Sequence, residues 1–109
     1  MDDLTEERIG FNEAAFRKVN EAVRAGRGLA DAEQVLQLVC ECGVLGCNQL
    51  LELTVSEYEH LRANPRRFAI VDGHELPQTE AVIERGERYT TVEKFAEGAR
   101  VAEETDPRA

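Results

Sequence analysis

Three cysteines stand close together in the run Cys40-Glu41-Cys42-Gly43-Val44-Leu45-Gly46-Cys47, and the chain has no others. Donors packed this tightly demand a turning backbone, and Gly43 and Gly46 supply it, because glycine takes up positive φ without a Cβ penalty. The run is therefore a loop or knuckle, and the segments on either side must return to it. Thiolates converging from such a turn suit a tetrahedral zinc ion, which takes sulfur and imidazole donors at about 2.0–2.3 Å. Backbone amides exposed by the two glycines would offset part of the thiolate charge.

Compartment and count favour metal over a disulfide framework. The start, Met1-Asp2-Asp3-Leu4-Thr5-Glu6-Glu7, has neither the positive residues nor the apolar run of a secretion signal. No stretch approaches the roughly 18 apolar residues of a membrane span. A cytosolic protein is expected, where thiols stay reduced, and an odd number of cysteines leaves one unpaired in any case. Two other uses remain for the cluster: three small residues that pack, or a reactive redox or catalytic thiol. A closed iron–sulfur cluster usually asks for a fourth cysteine.

A closed zinc site needs a fourth donor, and the chain has two histidines. His74 follows Asp72-Gly73 at the end of a predicted strand, where the chain can turn its side chain toward the tip of a neighbouring hairpin. His60 falls within a predicted helix and reads as a surface residue. The expected ligand set is Cys40, Cys42, Cys47 and His74, with Asp72 or Glu75 as carboxylate alternatives.

Around the knuckle, Gln34 to Val39 is short and apolar, which suits a strand, and Gln49 to Leu53 suits its return. The cysteines then occupy a hairpin tip. Thr54 or Ser56 caps a helix of about ten residues that stops before Pro65. Phe68 to Val71 reads as a further strand. Ala81-Val82-Ile83 and Tyr89 to Val92 read as a second hairpin with Gly86 in its turn.

Residues 5 to about 25 read as a helix capped by Thr5 and closed by Gly26 and Gly28. Its apolar stripe comprises Ile9, Phe16, Val19 and Val23, flanked by Phe11, Ala15 and Ala22, with Asn12 and Asn20 in or beside it. The stripe either covers this protein's own sheet or serves a partner or a homodimer, since asparagine in an apolar seam can specify register. The fold class expected is α+β: an amino-terminal amphipathic helix on a small antiparallel sheet with a zinc-knuckle-like hairpin tip. As one domain over 1–109, it divides into a helix and linker at 1–33, a core with the metal knuckle at 34–96 and a polar tail at 97–109.

Several strings resemble a group of small uncharacterised actinobacterial proteins: Val39-Cys40-Glu41-Cys42-Gly43, Glu57-Tyr58-Glu59, Pro65-Arg66-Arg67-Phe68, Gly73-His74-Glu75, Asp106-Pro107-Arg108 and the Asn12-Glu13 to Asn20-Glu21 stretch. The resemblance covers most of the chain and brings no activity with it. It implies that Cys40, Cys42, Cys47 and His74 occupy that group's candidate ligand positions.

Charge limits the partners. The net charge is −9 and acids are spread along the whole chain. Nucleic-acid backbones are held by clustered Lys and Arg, so an acidic chain is not expected to bind them, and protein partners are. Arg62, Arg66 and Arg67 form the one basic run, read as solvated or paired with acids. Glu80, Glu84 and Glu87 read as surface. Cys47, His74 and Asp72 supply the residue types of a cysteine hydrolase, but no phosphate loop or H-E-x-x-H motif is present. The expected function is a small cytosolic zinc protein that works through protein contacts and not as an enzyme. A thiol redox sensor or a small cysteine hydrolase is the alternative.

Overall fold

The computed structural model describes residues 2–108, with the backbone alone of Asp3. Eight elements follow in order: α1 (Asp3–Gly26), β1 (Val35–Val39), β2 (Leu50–Thr54), α2 (Val55–Arg62), β3 (Arg67–Ile70), β4 (Glu80–Arg85), β5 (Thr90–Lys94) and α3 (Ala96–Glu104). The α+β class is as expected, but the strands form two antiparallel sheets instead of one. These are a β1–β2 hairpin and a three-stranded sheet in the order β3-β5-β4.

Period-two alternation builds the first hairpin: Leu36, Leu38, Leu51 and Leu53 are buried, and their neighbours Val35, Gln37, Leu50 and Glu52 are exposed. Its ladder continues through Cys40 N–H to Gln49 O at 3.0 Å, so the cysteine loop does stand at the hairpin's tip. Thr54 ends β2 and caps α2 through a capping box: its hydroxyl accepts from the Glu57 amide, and its own amide donates to the Glu57 carboxylate at 2.7 Å. Residues 40–42 then bridge the two sheets, because the Glu41 amide donates to Ala69 O in β3 at 3.0 Å.

Two expectations need correction. The stretch 97–109, read as a polar tail, contains α3, which lies against α1 and buries Gly98, Ala99, Val101 and Ala102 while Arg100, Glu103 and Glu104 face out. The crossing is close: a Cβ on Gly10 would come within 3.0 Å of Val101 Cβ. The second correction concerns α1, which is capped by Asp2 accepting from the Thr5 amide, not by Thr5 itself. Its fully buried residues are Gly10, Glu13, Arg17 and Asn20; of the expected apolar stripe, Ile9, Phe16 and Val23 are half-buried, with Val23 packed against the core, whereas Phe11, Ala15, Val19 and Ala22 are exposed.

Burying a polar helix face is costly unless its charges and amides find partners, and most of these do, although Glu13 Oε2 and Arg17 Nε have none among the described residues. Asn20 fills the open edge of β1, accepting from Val39 N–H at 2.8 Å and donating to Val39 O at 2.9 Å. Arg17 donates to Ala102 O and Thr105 Oγ1 at the C-terminal end of α3 and to Pro65 O, and lies over the Phe68 ring. This places a cation where the helix dipole is negative. Lys94 meets Glu13 at 2.8 Å and Glu80 at 2.9 Å, all three nearly inaccessible. Glu80 is thus a core residue, contrary to its reading as surface. Arg62 is likewise buried, paired with Glu41 at 2.6 Å, whereas Arg66 and Arg67 pair with Glu103 and Glu93 nearer the surface.

Breaking a buried pair strands a charge and typically costs about 3–5 kcal/mol, whereas exposed pairs contribute about 0–1 kcal/mol. Glu41→Ala is therefore expected to lower the unfolding free energy by several kcal/mol in urea titrations. Arg66→Ala, which breaks the exposed pair with Glu103, should leave the midpoint nearly where it was.

Candidate metal centre

Cys40, Cys42, Cys47 and His74 converge as expected, with one donor atom from each lying within 4.8 Å of all the others. The residues come from three places: the extended segment after β1, the loop that follows it and the turn after β3. Alternation explains the first two. Cys40 and Cys42 point to one side of the extended 40–42 segment and Glu41 to the other, as successive side chains do.

Cys47 and His74 are delivered by equivalent local devices. In Val44-Leu45-Gly46-Cys47 the Cys47 amide donates to Val44 O at 3.1 Å, and in Val71-Asp72-Gly73-His74 the His74 amide donates to Val71 O at 3.0 Å. Each is a four-residue turn with glycine in third place, at φ +90° for Gly46 and +89° for Gly73. A positive φ at that place is the mark of a type II turn and calls for glycine. The donor therefore follows its glycine directly in both loops. The pattern was readable in the sequence as two V-x-G-donor strings.

Gly43 has a further role. Its φ is +76°, and a Cβ there would lie 2.7 Å from Glu13 Cγ and 3.2 Å from Ile9 Cγ2, so only glycine lets the knuckle seat against α1. Asn12 holds the seat by donating to Gly43 O at 3.2 Å.

Two of the donor spacings match the edge of a tetrahedral site. With bonds of about 2.3 Å to sulfur and about 2.05 Å to nitrogen, a sulfur–nitrogen edge of the tetrahedron measures about 3.6 Å. His74 Nδ1 lies 3.6 Å from Cys40 Sγ and 3.8 Å from Cys47 Sγ. Cys40 Sγ also accepts a hydrogen bond from the Val71 amide at 3.2 Å, an outer contact that stabilises a thiolate. Burial pushes the Cys40 thiol up to about 12, against the pull of that amide, and raises Cys42 as well. Without an ion both thiols keep their protons at neutral pH. A dication at the centre of the four donors is the group that would displace them.

Of the remaining candidates, His60 is an exposed residue of α2 and no part of the cluster. Asp72 and Glu75 are drawn away by Arg85, and Asp72 also accepts from the Thr90 hydroxyl, so no carboxylate is hydrogen-bonded to the His74 ring among the described residues.

Sequence reasoning missed Glu41 as part of this centre. Its carboxylate, fully buried, accepts from Arg62 at 2.6 Å, from Asn20 at 2.8 Å and from the Ala69 amide at 3.0 Å. It thereby fixes the segment whose other side carries Cys40 and Cys42. The only sequence signal is its position between two expected ligands.

Gly46→Ala meets no atom but forces a strained φ, at a cost of about 1–2 kcal/mol. Gly43→Ala adds the clash with Glu13. Thermal melts should rank Gly43→Ala as clearly the more damaging of the two. No family model, curated protein or solved structure matches the chain.

Proposed function

We infer that Cys40, Cys42, Cys47 and His74 hold one structural zinc ion, and that this small cytosolic domain works through protein contacts and not as a catalyst. The observation that carries the reading is the convergence of three sulfurs and one imidazole nitrogen within 4.8 Å of one another, with two sulfur–nitrogen spacings close to a tetrahedral edge. Four protein donors leave no open coordination position, which is the pattern of structural sites rather than of catalytic ones. Soft sulfur with imidazole favours zinc over hard cations that prefer oxygen. The engagement of Asp72 with Arg85 and Thr90 argues against a Cys47-His74-Asp72 hydrolase, in which the carboxylate would orient the imidazole. No described helix is long and apolar enough to cross a membrane.

The thiol redox sensor is the second reading, and the observation favouring it is accessibility. Cys47 is half-buried where Cys40 and Cys42 are buried, which makes it the sulfur that a peroxide reaches first. Oxidation would join Cys47 to Cys40 or Cys42, two thiolates losing two electrons to a peroxide reduced to water. Mass spectrometry after mild peroxide separates the readings: a reversible disulfide with metal release favours the sensor, and unchanged thiols favour the staple.

Protein purified without added metal should contain about one zinc per chain, and Cys40→Ser should lose it. A chelator should lower the melting temperature of the wild-type protein and leave that of Cys40→Ser unchanged. Zinc returned to metal-free protein in weak buffer at neutral pH should acidify the solution, as the protons held by Cys40 and Cys42 leave. The sign follows from the raised thiol values: affinity falls as pH falls. A zinc-free, equally stable wild-type protein would overturn the reading.

A further inference from the structure

The outward face of α1 combines three features that belong to a binding surface. It is apolar: Leu4, Phe11 and Val19 are 76%, 48% and 47% exposed, with Ala15 and Ala22 open between them. From Leu4 to Ala22 the stripe runs about 27 Å along one side of the helix, at 1.5 Å per residue. It also borders a groove. Phe11, Ala14, Ala15 and Lys18 form one wall and Thr105 and Pro107 the other, enclosing about 440 Å³.

The third feature is charge. Nine of the 13 basic residues pair with carboxylates, and Arg17 is taken up by carbonyl and hydroxyl oxygens. Only Arg8, Lys18 and Arg27 have no carboxylate partner among the described residues; Arg8 and Lys18 lie on α1, and Arg27 caps its C-terminal end. Arg8 and Lys18 stand in the exposed stripe itself, whereas the acids at its margin, Glu7 one turn before Phe11 and Glu21 one turn after Lys18, are paired with Arg100 and Arg108. In a chain of net charge −9 this is a positively charged apolar strip on an otherwise acidic body.

We propose that this strip is the docking site for an acidic amphipathic helix of another protein, with an apolar side chain of that helix entering the groove and carboxylates beside it meeting Lys18 and Arg8. The inference rests on the reading that the chain works through protein contacts, and not on the metal. Helix-on-helix docking suits a straight stripe with helical spacing, in which apolar anchors recur every three or four residues. Charge selects the occupant. A second copy would set Arg8 and Lys18 against the same cations. An anionic bilayer would gain about 1 kcal/mol from each of the two cations while meeting an acidic body. A partner that carries its own acids gains the ion pairs and the apolar contact together.

Fluorescence anisotropy tests this with a labelled synthetic helical peptide of about 18 residues, bearing leucines at i, i+3 and i+7 flanked by glutamates, and a counterpart with lysines in place of the glutamates. The wild-type full-length protein should bind the glutamate peptide about tenfold more tightly than the lysine peptide. Phe11→Glu should abolish binding, and Lys18→Glu should weaken the glutamate peptide and favour the lysine one. A charge reversal of preference is not something a misfolded variant produces. Both sites are exposed, and unchanged melting curves confirm the fold. Equal affinity for the two peptides, or none for either, would overturn the proposal. So would a dimer in sedimentation that Phe11→Glu dissolves, or phosphatidylserine vesicles that retain wild-type protein and release Phe11→Glu. Peptide binding by a protein found to lack metal would sink the zinc reading and leave this one standing.

Discussion

The carboxylate of Glu41 is the point on which the rest of the structure depends. It lies between two metal-site cysteines and is held from α1 by Asn20, from α2 by Arg62 and from β3 by the Ala69 amide. A buried carboxylate is costly to desolvate unless its oxygens are fully engaged, and here they accept three hydrogen bonds, one from a guanidinium. In satisfying itself, Glu41 draws three elements to one segment. Cys40 and Cys42 are oriented because the residue between them is anchored from behind.

The same logic extends across the interior. Glu13, Glu41 and Glu80 are buried with Arg17, Arg62 and Lys94, so three potential anions lie among three cations in a core of modest apolar size. Burial raises the Glu13 carboxyl well above its ordinary range against the pull of Lys94, with Glu80 adding to the rise. A polar network of this kind tolerates few alternative packings, since a shifted helix leaves charges unpaired, and so it specifies one arrangement where leucine and valine alone would allow several. It also leaves Phe11, Ala15, Val19 and Ala22 of α1 outside the core, while Val23 still packs against it.

Local features were legible in the sequence and long-range ones were not. The cysteine knuckle, the hairpin around it, a cap at Thr54 or Ser56 and the choice of His74 all follow from spacing within a few residues or from the chemistry of the donors. The orientation of α1 was hidden because its buried residues look like surface residues. Arg17 finds Ala102 and Asn20 finds Val39 only after the chain has folded, and no periodicity of hydrophobicity records such pairs. Helix α3 was hidden for a related reason. Its inward residues Gly98, Ala99, Val101 and Ala102 do fall on one face at helical spacing, but the mean polarity contributed by Glu97, Arg100, Glu103 and Glu104 makes the stretch read as a tail. The clue was the close approach that small residues permit, and that becomes visible only beside Gly10.

The twin turns ahead of Cys47 and His74 bear on how such a protein changes over evolutionary time. Zinc accepts sulfur or nitrogen at each corner, so in the proposed site the donor at the end of either turn could be exchanged without loss of the ion. The glycine before it cannot be exchanged so freely, because its positive φ strains every residue that carries a side chain. Descendants of a common ancestor are then free to permute cysteine and histidine while keeping the glycines in step. The deepest kinship of this chain is to be sought in the rhythm of its glycines, with the metal-binding letters read as interchangeable.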